Sequence, residues 1–298
     1  MLHLKSIADL NRLIQIETLH PLIAVVDFAK VDERIPPGTK IHADFYSIMF
    51  KNYCTNLLKY GRQTLDFQEG SLICIGPNQV LSMDDEIEQR SDRLGWGLFF
   101  HPDLFHGSIL GELMDSYSFF SYETSEALHL SEKEKHVLHD IVLQIEQELQ
   151  ENIDAHSQTL LVSNLALLLN YCARYYGRQF ITRKPSHSSI VAQVERLIRQ
   201  HIRFKESPNK GLPTVKYLAE QTNFSPSYLS DLLKKETGLS AQDQIHYWVI
   251  EEAKQRLLQS NQSVSEVAYS LGFEYPQYFS KLFRAKTGFT PGDFRNLN

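Results

Sequence analysis

The stretch SYLSDLLKKETGLS (227–240) returns fifty positions later as QYFSKLFRAKTGFT (277–290). Tyr228/Tyr278, Ser230/Ser280, Leu232/Leu282, Thr237/Thr287 and Gly238/Gly288 are identical pairs. Most other positions exchange like for like, among them Leu229/Phe279, Leu233/Phe283, Lys234/Arg284, Leu239/Phe289 and Ser240/Thr290. Upstream, VKYLAEQTNF (215–224) matches VSEVAYSLGF (264–273) at an offset of forty-nine, so the second copy carries one extra residue between its two segments. Two copies are too few for a solenoid, which needs three or more to bury a continuous core. The repeat reads instead as a duplicated pair of helices, each pair joined by a turn.

The turn chemistry fits that reading. In each copy the first helix is predicted to end at Asn223 or Gly272, residues that tolerate a left-handed backbone. The next helix begins at Pro226 or Pro276, a residue suited to the first helical position. Ser225 is a good N-cap for one, and Glu274 or Tyr275 a poorer one for the other. Gly238 and Gly288 end them. This is the helix-turn-helix layout, whose second helix enters the major groove of DNA.

Helical spacing turns Leu229, Leu232 and Leu233, and equally Phe279, Leu282 and Phe283, toward a core. The opposite stripes are Ser227, Ser230, Asp231 and Lys234 in one copy and Gln277, Ser280, Lys281 and Arg284 in the other. Ser227, Ser230, Asp231, Gln277, Ser280 and Lys281 are therefore the expected base-reading residues. Gln277 can bond adenine bidentately, Lys281 can reach guanine acceptors, and Asp231 can accept from cytosine N4. Asp231 also lies at i, i+3 and i, i+4 from Lys234 and Lys235, so an intrahelical pair is its competing role. Lys234, Lys235, Arg284 and Lys286 are expected on phosphates, where they give affinity and salt dependence without sequence information.

Charge divides in the same sense. Residues 190–298 hold 14 Lys and Arg against 11 Asp and Glu, a net of +3, while residues 1–189 hold 16 against 25, a net of −9, which together give the chain's −6. A mildly basic part joined to an acidic one suits a protein that offers one end to a polyanion. At 298 residues the chain is long enough for two domains. It holds no run of eighteen apolar residues, so no membrane partner is expected. Asp9, Asn11 and Arg12 interrupt the opening stretch, which lacks a secretory apolar segment. A cytoplasmic address is expected. Cys54, Cys74 and Cys172 show no metal or redox spacing and read as buried thiols.

The first ~125 residues read as mostly β after a short helix at 6–17. Apolar and β-branched runs at 22–28, 45–50, 72–75 and 94–100 are separated by turn signals, the pattern of a sandwich or jelly-roll barrel. From Ser131 the period becomes helical. Ser131 and Glu134 form a capping box, followed by Val137, Leu138, Ile141, Val142, Ile145 and Leu149 on one face. A second helix at 157–176 carries Leu160, Leu161, Leu165, Leu168, Leu169 and Cys172 on a broad apolar face. TRKPSHSS (182–189) breaks the pattern and reads as a linker. Helices then follow at 190–203, 214–222, 227–237, 242–260, 263–271, 276–287 and 291–297.

SPSYLSDLLKKETGLS followed by SVSEVAYSLGFEYPQYFSKLFRAKTGFTP resembles the paired helix-turn-helix domain of AraC/XylS-type transcription regulators. The resemblance covers about the last ~110 residues. It implies an α+β chain of two domains. The N-terminal one is a cupin-like β-barrel (1–125) with helices for dimerisation (126–181), and a linker (182–189) follows. The C-terminal one is all-α (190–298), its two helix-turn-helix motifs joined by a long helix. The partners implied are double-stranded DNA, a small-molecule effector, a second copy of the chain and RNA polymerase. The resemblance places Ser227, Ser230 and Asp231 on the first base-reading helix and Gln277, Ser280 and Lys281 on the second. This chain departs from the pattern at Asp231, where a basic or amide side chain is usual, and at Val249, where Arg is frequent.

IHADFYSIMF (41–50) and LDFQEGSLICIGPNQV (65–80) resemble, more loosely, the cupin-like sensing domain of the same family. His42, Tyr46 and Trp96 are its expected effector-pocket residues. Metal-binding cupins carry several His and a Glu on these strands; here His42 stands alone and Val80 sits where a His is common. No metal, cofactor or catalytic residue is therefore expected. Two other classes compete with the regulator. A cupin-type enzyme with an appended DNA module needs a His-x-His…Glu set or a nucleophile–base pair, which the β half lacks. A DNA-binding protein whose barrel takes no ligand would use that barrel for dimerisation or polymerase contact alone.

Overall fold

The computed structural model describes residues 1–31, 35–36, 39–51, 58–60, 63–65, 70–83, 95–123, 126–182, 184–203, 211–259 and 262–296. Its internal contacts divide the chain into two units, 1–179 and 180–298. The first carries the sheets and the second is helical, consistent with the α+β, two-domain chain expected.

The N-terminal unit opens with β1 (Leu2–Leu4) and α1 (Ile7–Leu13), capped by Ser6 and its capping-box partner Asp9. The helix stops short of the expected Glu17, and Gln15 just beyond it takes a left-handed φ of 56°. The strands are β2 (Ile23–Asp27), β3 (Thr39–Ala43), β4 (Tyr46–Lys51), β5 (Leu58–Tyr60), β6 (Gln63–Leu65), β7 (Ser71–Ile75), β8 (Val80–Met83), β9 (Gly95–Phe100) and β10 (Leu128–His129). They form two five-stranded sheets, ordered β1-β3-β8-β5-β6 and β10-β7-β4-β9-β2. Every pairing is antiparallel except that of β1 with β3.

Strand alternation sorts the faces. Met49, Ile73, Ile75, Phe99, Ala24 and Val26 of the second sheet share one core with Leu4 of the first and Ile7 and Leu10 of α1. Ile41, Ala43 and Leu81 of the first sheet pack against that core. On the second sheet's other face Tyr46 stacks on Phe100 at 5.2 Å and meets Phe120 edge-on at 4.7 Å.

Three more α-helices belong to the unit: the short α2 (Ile109–Leu113), α3 (Glu132–Gln150) and α4 (Ser157–Thr182). The Glu134 carboxylate accepts the Ser131 backbone N–H at 2.8 Å, closing the expected capping box. Leu138, Ile141, Val142, Ile145 and Leu149 are buried, as their spacing requires. On α4, Leu161, Leu165, Leu168, Leu169 and Cys172 are buried, whereas Leu160 is exposed. Buried Gln179 fastens this helix to β10, accepting from the His129 N–H and donating to the Ala127 carbonyl.

The C-terminal unit contains α5 (Lys184–Arg203), α6 (Val215–Thr222), α7 (Pro226–Thr237), α8 (Ala241–Gln259), α9 (Val264–Leu271), α10 (Pro276–Thr287) and α11 (Pro291–Asn296). The break in helical pattern expected at 182–189 is a correction. α4 continues past Tyr176 to Thr182 and α5 starts at Lys184, so residues 184–189 are helical. Pro185 fits because it stands in the first turn, where a missing N–H breaks no helical bond.

The corners take the backbone their residues favour. Asn223 and Gly272 end α6 and α9 at φ of 56° and 106°, and Gly238 and Gly288 end α7 and α10 at 78° and 82°. Inside, α8 packs against α5, α6, α7, α9, α10 and α11. Leu229 and Leu233 of α7, Phe279 and Phe283 of α10, and Ile245, Val249 and Leu257 of α8 share the core.

Phe279 is 0% exposed. Its truncation in Phe279→Ala should cost ~3–5 kcal/mol through lost burial and the cavity left behind. Gly288→Ala, where an added Cβ meets nothing within 4 Å, should cost only the ~1–2 kcal/mol of a left-handed non-glycine residue. Hydrogen exchange of the α9 and α10 amides measures both, and equal losses would contradict this core assignment.

Candidate nucleic-acid interface

The shared residues of the repeat have structural work in both copies. Thr237 and Thr287 each donate to the carbonyl four residues back, Leu233 or Phe283, at 2.8 Å. Each also accepts the N–H two residues on, from Leu239 or Phe289, at 3.2 Å. Ser240 accepts the N–H of Asp243 at the start of α8, and Thr290 that of Asp293 at the start of α11. The repeat therefore includes the cap of the following helix.

Ser225 caps α7 by accepting the Tyr228 N–H, whereas Tyr275 precedes α10 without a side-chain cap. Leu229, Leu232, Leu233, Phe279 and Phe283 are buried, and Leu282 is half-buried. On the outward stripes Lys234, Lys235, Gln277, Lys281, Arg284 and Lys286 are exposed, and Ser227, Ser230, Asp231 and Ser280 are half-buried. The exposed members lie mostly on α10, so the second copy presents the longer and more basic surface.

Two of the expected base-reading hydroxyls are engaged within the fold. Ser230 accepts the Ala241 N–H at 3.3 Å, and Ser280 donates to the Pro276 carbonyl at 3.1 Å. Lys286 is engaged too, its ammonium 3.1 Å from Asp243 Oδ1. Hydrogen bonds from Ser240 and Lys286 hold the Asp243 carboxyl below its ordinary value. Both partners are more than a third exposed, so the pair adds less than about 1 kcal/mol to stability. Whatever it adds is present above the ordinary carboxylate pKa and is lost as pH falls through the lowered one. Val249, where an Arg is frequent in the family it resembles, is fully buried; a valine there serves packing.

Tyrosines were missed by the sequence reading. Tyr278 is 61% exposed and packs edge-on against exposed Tyr275 at 5.8 Å, flanking Gln277. Its repeat partner Tyr228 is buried and stacked on Phe224 at 5.1 Å. Identity across the copies concealed this difference, which follows from what lies beside each helix. An exposed tyrosine hydroxyl is a phosphate donor.

The N-terminal candidates are not brought together. His42 is on β3 of the first sheet, while Tyr46 and Trp96 are on β4 and β9 of the second. Tyr46 and Trp96 lie on the face opposite Met49 and Phe99, so they turn away from the core between the sheets. Burial pushes the Tyr46 hydroxyl up from its ordinary value. The core-side face instead carries Ser47, Lys51 and Ser71, all buried, with Lys51 of β4 directly opposite Ser71 of β7. Cys74 and Cys172, distant in sequence, are neighbours in space. Burial pushes the Cys74 thiol well up, ahead of the effect of Cys172, so it stays protonated and inert. Cys54 lies outside the described residues. His42 has His3 and Asp44 beside it, partners that only strand pairing discloses. Among the described residues no helix is long and apolar enough to cross a membrane.

Residues 218–297 match the family model described as a helix-turn-helix domain. The chain is 39% identical over 83 residues to the HTH-type transcriptional regulator YobQ of Bacillus subtilis, covering 28% of this chain and 34% of that protein. It is 36% identical over 111 residues to the transcriptional regulatory protein YesN of the same organism, covering 36% of this chain and 28% of YesN. The chain thus spans about a third of the length of these relatives. Among solved structures, a probable AraC family transcriptional regulator from Rhodopseudomonas palustris is 20% identical over 36% of this chain and 95% of that one, with a TM-score of 0.31.

If exposed cations set affinity, Arg284→Ala should weaken binding to any duplex and lower the salt slope by about one. Lys286→Ala should do less, because Asp243 already neutralises Lys286. Asp243→Asn should raise affinity. Fluorescence anisotropy across a salt series checks all three; equal effects of the two alanine variants would contradict the pairing.

Proposed function

The C-terminal region being a helix-turn-helix domain of the AraC type, we propose that the chain is a sequence-specific DNA-binding transcription regulator governed by its N-terminal unit. The observation that carries the reading is the duplicated helix–corner–helix unit built on one central helix. We read α6–α7 and α9–α10 as two helix-turn-helix motifs. α8 holds nineteen residues and spans ~28 Å. With the recognition helices' own offsets added, that suits successive major-groove segments ~34 Å apart.

Gln277 and Lys281 are the principal base readers in this proposal, with Arg284, Lys234 and Lys235 on phosphates. Asp231 and Ser227 are the first copy's readers. Ser230 and Ser280 take part through their exposed edges alone, since their hydroxyls already have partners. The names of YobQ and YesN, transcriptional regulators both, support this over an enzyme.

The N-terminal unit is read as a cupin-like barrel that takes a small-molecule effector between its sheets. Ser47, Lys51 and Ser71 replace Tyr46 and Trp96 as its polar lining, since they occupy the core-side face. Exposed Leu143 on α3 and Leu160 and Leu167 on α4 support homodimerisation through these helices. RNA polymerase is the further partner of a regulator so built.

Selection of bound sequences from random duplex DNA tests the reading. Enrichment of one motif is expected, and Gln277→Ala or Lys281→Ala should relax preference at one or two base pairs by ~1–3 kcal/mol. Uniform loss of affinity on all sequences would remove these residues from base reading. Absence of any enriched motif would remove sequence-specific regulation.

A further inference from the structure

On the face of the β1-β3-β8-β5-β6 sheet turned away from the core, three donor side chains converge. Parallel pairing sets His3 of β1 opposite His42 of β3. The alternation that sends Leu2, Leu4, Ile41 and Ala43 to the core sends both imidazoles to the other face. Their ring centroids lie 4.0 Å apart. Asp44 follows β3, its backbone N–H donating to the Leu4 carbonyl at 3.0 Å. Its Oδ1 stands 2.6 Å from His3 Nε2. One ligand atom from each of the three residues lies within 4.8 Å of the other two. The Nδ1 atom of His42 is buried and has no hydrogen-bond partner among the described residues.

We propose that His3, His42 and Asp44 form a binding site for a divalent transition cation, with Zn²⁺ the best chemical match. Two imidazole nitrogens and one carboxylate oxygen make a borderline donor set. Zn²⁺ accepts such a set at about 2.0–2.2 Å and completes four-coordination with water. Mg²⁺ and Ca²⁺ take oxygen ligands instead. Tetrahedral coordination at those lengths sets ligand atoms about 3.4 Å apart. The His3–Asp44 contact therefore opens and the wider separations close by side-chain rotation, without movement of the strands. Coordination through Nδ1 would also give that buried His42 nitrogen the contact it lacks.

Position gives the site its consequence. His3 belongs to the edge strand β1, while His42 and Asp44 belong to β3 and its exit. A bound ion therefore clasps the edge strand to the sheet. It binds the folded pairing and not the separated strands, so it stabilises the unit by mass action. This site is independent of the DNA-binding reading and lies on the opposite side of the sheet from Ile41 and Ala43.

The test uses the full chain without an affinity tag, stripped with EDTA and dialysed. Zn²⁺ is titrated by calorimetry, and thermal unfolding is followed with and without the ion. One tight equivalent is expected, together with a rise in the unfolding midpoint. His42→Ala and Asp44→Asn should each weaken that equivalent at least ~10-fold and remove the rise, while unfolding like the parent chain in EDTA. Should His42→Ala fail to fold, the exposed pair His3→Gln and Asp44→Asn carries the test with the same expectation. Binding that is unchanged in these variants, or no binding by the parent chain at millimolar Zn²⁺, overturns the proposal and leaves a His3–Asp44 hydrogen bond only.

Discussion

The burial of α8 is the constraint on which the C-terminal unit depends. Ala241, Ile245, Val249, Ala253 and Leu257 form a stripe at every fourth position, and all are essentially unexposed. Alanines at two of the five positions let neighbouring helices approach closely, while the branched residues between them fill the gaps. Gln244 and Ile250 widen the buried face, so six helices find a surface on one cylinder. Once Leu233 of α7 and Phe283 of α10 have packed into that core, helical geometry leaves no choice about which stripe of each helix faces out. The orientation of the outward side chains is therefore a consequence of core packing around α8. Arginines secure the ends. Arg256 donates to the carbonyls of Ser270 and Ile202, and Arg295 to those of Leu257 and Gln262.

The duplication conserves packing and diverges on the surface. Thr–Gly at the end of each second helix, and Ser240 or Thr290 after it, recur because both copies must terminate one helix and cap the next. Leucines in the first copy and phenylalanines in the second fill the same core with different volumes. The buried Tyr228 and the engaged Ser230 narrow what α7 can offer outward. α10 instead exposes Tyr278, Gln277, Lys281 and Arg284 together, so an unequal division of labour follows from residues that look equivalent in alignment.

What was legible in the sequence was local. Caps, left-handed corners and the i, i+3, i+4 stripes fixed α6 through α11 to within a residue or two at most ends, because each signal lies within one turn of the structure it specifies. The helix over 184–189 was missed for a related reason. Pro185 and its serines look like a break when read alone, yet proline in a first turn is compatible with the helix that follows it. The placing of the effector candidates was hidden differently. His42, Tyr46 and Trp96 share a chemical character, but their places depend on which sheet and which face each strand adopts, and that is set by pairings between distant segments. The same nonlocality hid the neighbours Cys74 and Cys172, and His3 beside His42.

Net charge understates the polyanion-facing surface. Several acidic residues of the C-terminal unit are consumed by cations on their own helices: Glu195 by Arg199, Glu251 by Lys254 and Glu252 by Arg256. Such pairs contribute little to stability, but they cancel in the far field and leave it to the side chains that remain. Those exposed on the outward stripes are Lys234, Lys235, Lys281 and Arg284, all of one sign, whereas the half-buried Asp231 is the acidic residue set among them. A phosphate backbone approaching within a Debye length of ~8 Å samples this local cluster and not the unit's average. The acidic N-terminal part, at −9, repels the same backbone. The cations left over are thereby gathered on the outward stripes of α7 and α10, so a chain of −6 overall carries a local surface suited to a polyanion.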